Sequence, residues 1–405
     1  MKFKFIFLIL LFAKISFAGW FQQNSGTTKN LYGVNFNHGN ENIVWACGED
    51  GLILYTSNGG TTWIQQNSGT TNTLYAVIFM EQTTSPILAV GKNGTIVRTT
   101  LSSLVWNVIP SPTTKTLKDI SEFNFIAVGD SGAMIRSTDL GLTWALLPQV
   151  TNVNLNAVTG IFNQLAVGDN GTILRSAGLG QNWSSLASGT TENLYGVPLF
   201  NSPMIFVGAN GLIRKSTNVG ANWMTLPTGT TAKLNAIEYS VNNDSRIYVP
   251  GNNGLILKST NGGVTFGRQQ SGTNVNLNAT FFYLDDNTGY VVGDNGTILK
   301  TTDGGGTITG FENEVTDVKS FMLEQNYPNP FNPSTKINFS IPETEFVSIK
   351  IYDAQGRELE EIMNEMKEAG SYNVTFNGAD LAGGIYFYKI TAGKFSETKK
   401  MVLVK

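Results

Sequence analysis

Gly168-Asp169-Asn170-Gly171-Thr172-Ile173-Leu174 ends one short apolar run, turns tightly and opens another. The same G-x-x-G turn returns at Gly48-Glu49-Asp50-Gly51, Gly91-Lys92-Asn93-Gly94, Gly129-Asp130-Ser131-Gly132, Gly208-Ala209-Asn210-Gly211, Gly251-Asn252-Asn253-Gly254 and Gly293-Asp294-Asn295-Gly296, which makes seven copies in all. Their first glycines stand 38 to 43 residues apart, the length of a four-stranded propeller blade. A helical repeat of that period would not tolerate so many glycines.

Working outward from the turn, each copy reads as four strands. The first begins at a leucine followed by a small or β-branched residue, as in Leu31-Tyr32-Gly33-Val34, Leu74-Tyr75-Ala76-Val77 and Leu194-Tyr195-Gly196-Val197. It should be the inner strand. The second and third flank the turn, whose Asn-Gly or Ser-Gly supplies the positive φ that a tight hairpin needs. Next comes Ser137-Thr138-Asp139-Leu140-Gly141-Leu142-Thr143-Trp144, which matches the S-x-D-x-G-x-T-W pattern of the Asp-box. Thr56 to Trp63 and Ser259 to Phe266 are variants with Asn for Asp, and Thr99 to Trp106 and Ser176 to Trp183 are degenerate. A short Asp or Asn side chain bonds its own turn there, while the aromatic residue fills the blade edge.

The seventh copy ends at Thr301-Thr302-Asp303-Gly304-Gly305-Gly306-Thr307-Ile308 with neither a tryptophan nor a fourth strand. Gly19-Trp20-Phe21-Gln22-Gln23-Asn24-Ser25-Gly26-Thr27 parallels Trp63-Ile64-Gln65-Gln66-Asn67-Ser68-Gly69-Thr70 and supplies both. Pairing the N-terminal segment with the last copy removes the open edges of the ring. The expected fold is therefore all-β: a seven-bladed β-propeller over residues 19–310, closed by an N-terminal strand, with a second domain beyond it. The combination of L-x-[GAD]-[VI], G-x-x-G-x-I and G-G-x-T-W resembles the repeats of the photosystem II assembly and stability factor family, and more loosely the BNR or sialidase-like propellers. The resemblance implies protein binding during assembly, although a propeller hosts many activities.

The chain has 405 residues, with 44 Gly, 11% aromatic and 14% charged residues, a turn-rich and β-rich composition. A formal net charge of -3 gives no electrostatic reason to expect nucleic acid as a partner. Residues 1–18 read as an export signal, with Lys2 and Lys4, an apolar run from Phe5 to Ala13, and Ser16-Phe17-Ala18 before Gly19. That run is too short to cross a bilayer, and no other segment looks membrane-spanning. Cys47 is the single cysteine, so neither an intrachain disulfide nor a cysteine metal cage can form.

Past an acidic linker at 311–320, the strands Lys336 to Ile341, Phe346 to Tyr352, Tyr372 to Phe376, Ile385 to Ile390 and Thr398 to Val404 alternate in polarity, which suggests a small Ig-like β-sandwich over 321–405. Its opening Gln325-Asn326-Tyr327-Pro328-Asn329-Pro330-Phe331-Asn332-Pro333, then Ile351-Tyr352-Asp353-Ala354-Gln355-Gly356-Arg357, then Leu381 to Ile390 and a basic last strand resemble the type A sorting domain of the type IX (Por) secretion system. That resemblance implies export through the type IX machinery to the outer cell surface or the medium.

Candidate chemistry is sparse. His38 is the single histidine and lies in a polar hairpin tip, Asn37-His38-Gly39-Asn40, so a catalytic triad would have to be built around it. The sequence calls for no catalytic, metal or cofactor residues, and the Asp/Gly turns lack the spacing of a calcium loop. A sialidase-like glycoside hydrolase is the enzymatic alternative and would need paired carboxylates or an arginine cluster. Arg98, Arg136, Arg175, Lys215, Lys258 and Lys300 instead form one repeated column just before the Asp-box. They read as cations capping strand ends or, more sharply, as a docking ring that loses an anionic partner when Arg136 and Arg175 are reversed. On the opposite face, the residue after each inner-strand leucine gives Tyr32, Tyr75, Lys118, Asn156, Tyr195, Asn235 and Asn278, with Asp119 as an outlier in the neighbouring small-residue column. Tyrosines and amides around a channel mouth can grip a peptide or a sugar. The expectation is a non-catalytic protein- or glycan-binding propeller, with the hydrolase, a photosystem-assembly-like scaffold and a purely structural envelope component as alternatives.

Overall fold

The computed structural model describes residues 19–37, 39–80, 86–159, 163–198, 204–240, 243–282, 287–308, 321–367 and 370–405. The export signal, His38 and the 311–320 linker lie outside the described residues. The chain forms two compact units, Met1–Phe311 and Glu312–Lys405.

The first unit holds seven four-stranded antiparallel sheets among the described residues. Sheet 1 runs Leu31–Asn37, Asn40–Gly48, Ile53–Thr56 and Ile64–Gln66, and sheets 2 to 5 repeat that order from Leu74–Phe79, Leu117–Ile120, Leu155–Thr159 and Leu194–Gly196. Sheet 6 follows with Glu238–Ser240, Asn243–Pro250, Ile256–Ser259 and Gly267–Arg268, its first strand preceded by an isolated bridge from Leu234 to Gly251. Sheet 7 has only three strands from its own copy, Leu277–Phe282, Gly289–Gly293 and Ile298–Thr301, and its fourth is Phe21–Gln22. There Phe21 faces Lys300 and Gln22 faces Leu299. Trp20 donates its indole N–H to Gln269 at 2.9 Å, as Trp106 does to Gln66 at 2.8 Å.

The apolar cores lie between sheets. Seven buried clusters each join one sheet to the next, and one of them packs Leu31, Phe36 and Val44 of sheet 1 against Phe281, Tyr290 and Val292 of sheet 7. Inner strands approach closely, which explains the small-residue column. A Cβ on Gly33 would sit 3.0 Å from the Cα of Ala76. The second glycine of the G-x-x-G turn has φ +71° at Gly51, and a Cβ there would collide with the Thr70 carbonyl on the way into sheet 2.

A β-bulge interrupts the inner strand of six sheets directly after its leucine, at Leu31/Gly33, Leu74/Ala76, Leu117/Asp119, Leu155/Ala157, Leu194/Gly196 and Leu277/Ala279. The skipped residue has no partner opposite and is turned out of the ladder. Those skipped residues are Tyr32, Tyr75, Lys118, Asn156, Tyr195 and Asn278. The bulge therefore aims this column at the space the inner strands surround.

The second unit is a pair of sheets. One contains Met322–Leu323, Ser334–Ile341 and Gly370–Asn377; the other is ordered Glu358–Lys367, Glu345–Asp353, Gly384–Ala392, Phe395–Leu403. Their shared core includes Ile337, Phe339, Ile349, Ile351, Phe376 and Tyr388. The Tyr388 hydroxyl donates to the Glu324 carbonyl at 2.6 Å and accepts from the Asn326 N–H at 2.7 Å, which fastens the Gln325-Asn326-Tyr327 opening to the core. The sequence had suggested five strands here and missed Glu358–Lys367. That strand is a sheet edge with largely exposed glutamates, a composition poor in β-formers that suits an edge kept from pairing with other chains.

Candidate binding site at the channel mouth

The inner strands of all seven sheets enclose a cavity of about 680 Å³. Tyr32, Tyr75, Lys118, Asn156, Tyr195, Asn235 and Asn278 all line it, and so does Asp119. The structure thus brings the whole sequence-derived column together. Its members nevertheless do different work.

The three asparagines hold the ring. Each donates an amide N–H to the carbonyl of the leucine that opens the next sheet: Asn156 to Leu194 at 2.9 Å, Asn235 to Leu277 at 2.8 Å, Asn278 to Leu31 at 2.9 Å. They also bond their own turns, through Asp169, Asn252 and Asp294. Asp119 is structural as well. It accepts from the Ile120 N–H and, across to sheet 4, from the Val158 N–H at 2.8 Å. Burial raises its carboxyl to about 7 despite those bonds. Deeper still, buried Glu122 accepts from Asn35 of sheet 1, whose own Oδ1 accepts from the Phe79 N–H of sheet 2. Burial raises Glu122 to about 8. Asn35, Glu122, Thr159, Glu238 and Thr280 also line the cavity and are all buried.

Aromatic and cationic side chains occupy the rest of the mouth. Tyr32 and Tyr75 are half-buried, with ring centroids 5.2 Å apart at 44°. The Tyr32 hydroxyl lies 3.3 Å from Glu49, and burial raises both phenols. Lys118 pairs with Asp130 at 3.0 Å and donates to Asn156 at 3.0 Å. Lys233 lies 3.8 Å above the centre of the Tyr195 ring, a close cation–π contact. Burial first and the Lys118 ammonium second lower its pKa. Lys233 was not among the sequence-derived candidates. The signal was present, since the residue before the inner-strand leucine is Asn or Thr in the other six copies and Lys only here.

The basic column lies elsewhere and is engaged. Arg98 donates to the Leu140 carbonyl, Lys215 to Gly262, Lys258 to Gly304 and Lys300 to Gly59, at 2.6–2.9 Å. Each acceptor follows the Asp or Asn of the next sheet's box, so these cations staple one sheet to the next. Arg136 and Arg175 hold the same position in sheets 3 and 4. A ring of free head groups for docking an anion is not what this geometry provides, and Lys258 is buried outright. In the Asp-box itself, desolvation is the largest single influence on Asp139 and raises its carboxyl, but the bonds it accepts from the Thr143 and Leu142 N–H groups and from the Ser137 and Thr143 hydroxyls together outweigh it and bring the carboxyl down to about 2. Asn218 closes the same turn in sheet 5 through the Asn222 N–H at 2.8 Å, a box the sequence pattern had passed over.

Comparison with known proteins bears on both units. Residues 325–405 match the family model of the secretion system C-terminal sorting domain, and residues 204–302 match that of the photosynthesis system II assembly factor YCF48. The chain therefore carries YCF48-like repeats and a Por sorting tail. Among solved structures, YCF48 from Cyanidioschyzon merolae superposes with a TM-score of 0.59 at 19% identity, covering 70% of this chain and 99% of that one. YCF48 bound to D1 peptide gives 0.60 at 20%, covering 71% and 98%. PorZ, described as an essential bacterial surface component of the type IX secretion system of Porphyromonas gingivalis, gives 0.51 at 12%, covering 93% of this chain and 60% of that one. At such identities the likeness establishes the β-propeller fold. A comparison with curated proteins gives no match. The Por tail marks the chain for type IX secretion to the cell surface. No helix among the described residues is long and apolar enough to cross a membrane.

Proposed function

We propose that this YCF48-like chain is an exported, non-catalytic binding protein, a seven-bladed propeller closed by its N-terminal strand whose channel mouth takes a peptide segment of a partner protein. Residues 321–405 engage the type IX machinery that carries it out. The pairing of Phe21–Gln22 with Ile298–Thr301 and the core shared by sheets 7 and 1 support closure.

The observation that carries the binding role is the repeated bulge. It costs each inner strand one ladder position, yet it turns Tyr32, Tyr75, Lys118 and Tyr195 toward a cavity of the size that small ligands fill. Two features favour a peptide over a glycan. The amides that would read sugar hydroxyls are consumed by the neighbouring leucine carbonyls, and the Tyr32–Tyr75 pair is tilted rather than coplanar, so it offers no flat platform for a sugar ring. A solved structure of the same fold holds a D1 peptide. A hydrolase would have to draw on Asp119, Glu122, Asp130 and Glu238, of which Asp119, Glu122 and Asp130 are already bonded to Val158, Asn35 and Lys118.

Peptide and glycan arrays probed with the mature chain, run beside a panel of chromogenic glycosides, test this. Capture of peptides alone is expected. Glycan-only capture, or turnover of any glycoside, would refute it.

A further inference from the structure

The N-terminal segment reaches further into the seventh copy than a fourth strand requires. Trp20 is fixed by its indole bond to Gln269 at 2.9 Å and by edge-on contact with Phe282, and Phe21 beside it pairs with Lys300. The Gly19 nitrogen is thereby held 3.0 Å from Oδ2 and 3.2 Å from Oδ1 of Asp303, the box residue of that copy. Asp303 is bonded unlike its counterparts. Asn58, Asp139, Asn218 and Asn261 each accept from the N–H four residues on, at 2.8–3.0 Å. In Asp303, Oδ1 takes the Thr301 hydroxyl at 2.8 Å and the Gly306 N–H at 2.9 Å, and Oδ2 takes Gly19.

An uncharged acceptor closes this turn at Asn58, Asn218 and Asn261. Asp139 does carry a charge, but both of its oxygens serve its own turn, Oδ2 through the Thr143 hydroxyl. Asp303 instead turns one oxygen to the other end of the chain. Among the described residues no lysine or arginine forms an ion pair with it. The other charges felt at this junction are the Lys258 ammonium of sheet 6, bonded to the Gly304 carbonyl at 2.6 Å, and Arg246 behind it. A peptide nitrogen has one hydrogen to share between the two oxygens of Asp303. A terminal ammonium has three, together with a positive charge, and charge-assisted bonds are about twice as strong as neutral ones.

We propose that removal of the export signal makes the latch that closes the ring, because cutting between Ala18 and Gly19 leaves an ammonium on Gly19 that pairs with Asp303. Hydrolysis gives the hydroxyl of water to the Ala18 carbonyl and its hydrogen to the Gly19 nitrogen, which takes up the proton that the new carboxylic acid releases. The uncut chain presents the same nitrogen as a neutral amide, so the ring of the precursor is held less firmly than that of the exported product. This rests on the export reading of residues 1–18 and adds what the cut does for the fold. The contact is exposed, so its contribution is modest and screened by salt. An ammonium held charged by a carboxylate contributes stability below the ordinary α-amino value of about 8 and loses it as pH rises through the raised value.

The full chain beginning at Gly19 is compared with the same chain keeping Ser16-Phe17-Ala18 in front, each with Asp303 and with Asp303→Asn, by thermal melts from pH 6 to pH 10 in low salt. At pH 6.5 the Gly19 form should melt about 2 °C above the longer form. The gap should close by pH 10 and be absent in Asp303→Asn, which keeps the acceptor used in three other boxes and so should fold. Competitive acetylation of the α-amine over the same range, read by mass spectrometry of the N-terminal peptide, should place its titration about half a unit or more higher with Asp303 than with Asn. No gap at any pH, a gap that persists at pH 10 or in Asp303→Asn, or an α-amine that titrates alike in both chains overturns the latch. Gly19 should also be the first residue of the chain recovered outside the cell. Another first residue overturns the link to signal removal, and recovery of uncut chain alone overturns the export reading itself; the titration is read independently of either.

Discussion

Glu122 shows how much of the ring depends on single buried polar groups. Its carboxyl is held near 8 chiefly by burial, which the hydrogen bond from Asn35 only partly offsets. The folded chain therefore keeps a proton that the unfolded chain releases above the ordinary carboxylate range. Stability from this group is fullest at low pH and falls as pH rises through that range to about 8, beyond which the loss is complete. Asp119, raised to about 7, acts in the same direction. Thermal melts of the mature chain should fall between pH 5 and pH 8, and Glu122→Gln should flatten that fall by an amount on the order of a few kcal/mol. A melting temperature that climbs with pH across this window, unchanged by the substitution, would contradict the buried-acid description.

At the scale of elements, the two-residue strand Phe21–Gln22 does more than its length suggests. It completes sheet 7, places Trp20 edge-on to Phe282 at 5.9 Å, and brings the Gly19 N–H to Asp303 at 3.0 Å. Deleting residues 19–28 should expose the outer edge of sheet 7, remove cooperative unfolding of the repeat unit and lower its midpoint by ten degrees or more; calorimetry with an unchanged single transition would sink the closure. The role of this strand was legible because Trp20-Phe21-Gln22-Gln23-Asn24-Ser25-Gly26-Thr27 nearly copies Trp63 to Thr70. The strand Glu358–Lys367 was not legible, because edge strands select for charge and their composition hides the pattern that buried strands display.

Across the whole molecule, the period of the glycine turns carried the architecture, and the residue after each leucine carried the location of the mouth. The division of labour within that column was beyond the sequence. Tyr32 and Asn278 hold equivalent positions, yet only the asparagine can donate to Leu31 of the next sheet, and that bond exists only once the ring has brought sheet 7 beside sheet 1. The bulge that turns the column inward was equally hidden, since it leaves no mark in residue type. The basic column could be read either as cations capping strand ends or as a docking ring, and the bonds of Arg98, Lys215, Lys258 and Lys300 to the next sheet were not legible, because their acceptors are backbone carbonyls and every residue type has one.

The central claim is that the mouth binds a peptide. Its most direct test is titration calorimetry of the mature chain, parent against Tyr32→Ala/Tyr75→Ala, with a peptide taken from the array. Loss of those two rings should weaken binding at least tenfold, equivalent to about 1.4 kcal/mol, while leaving the melt of the repeat unit within a few degrees of the parent. Equal affinity in parent and double variant would contradict the account.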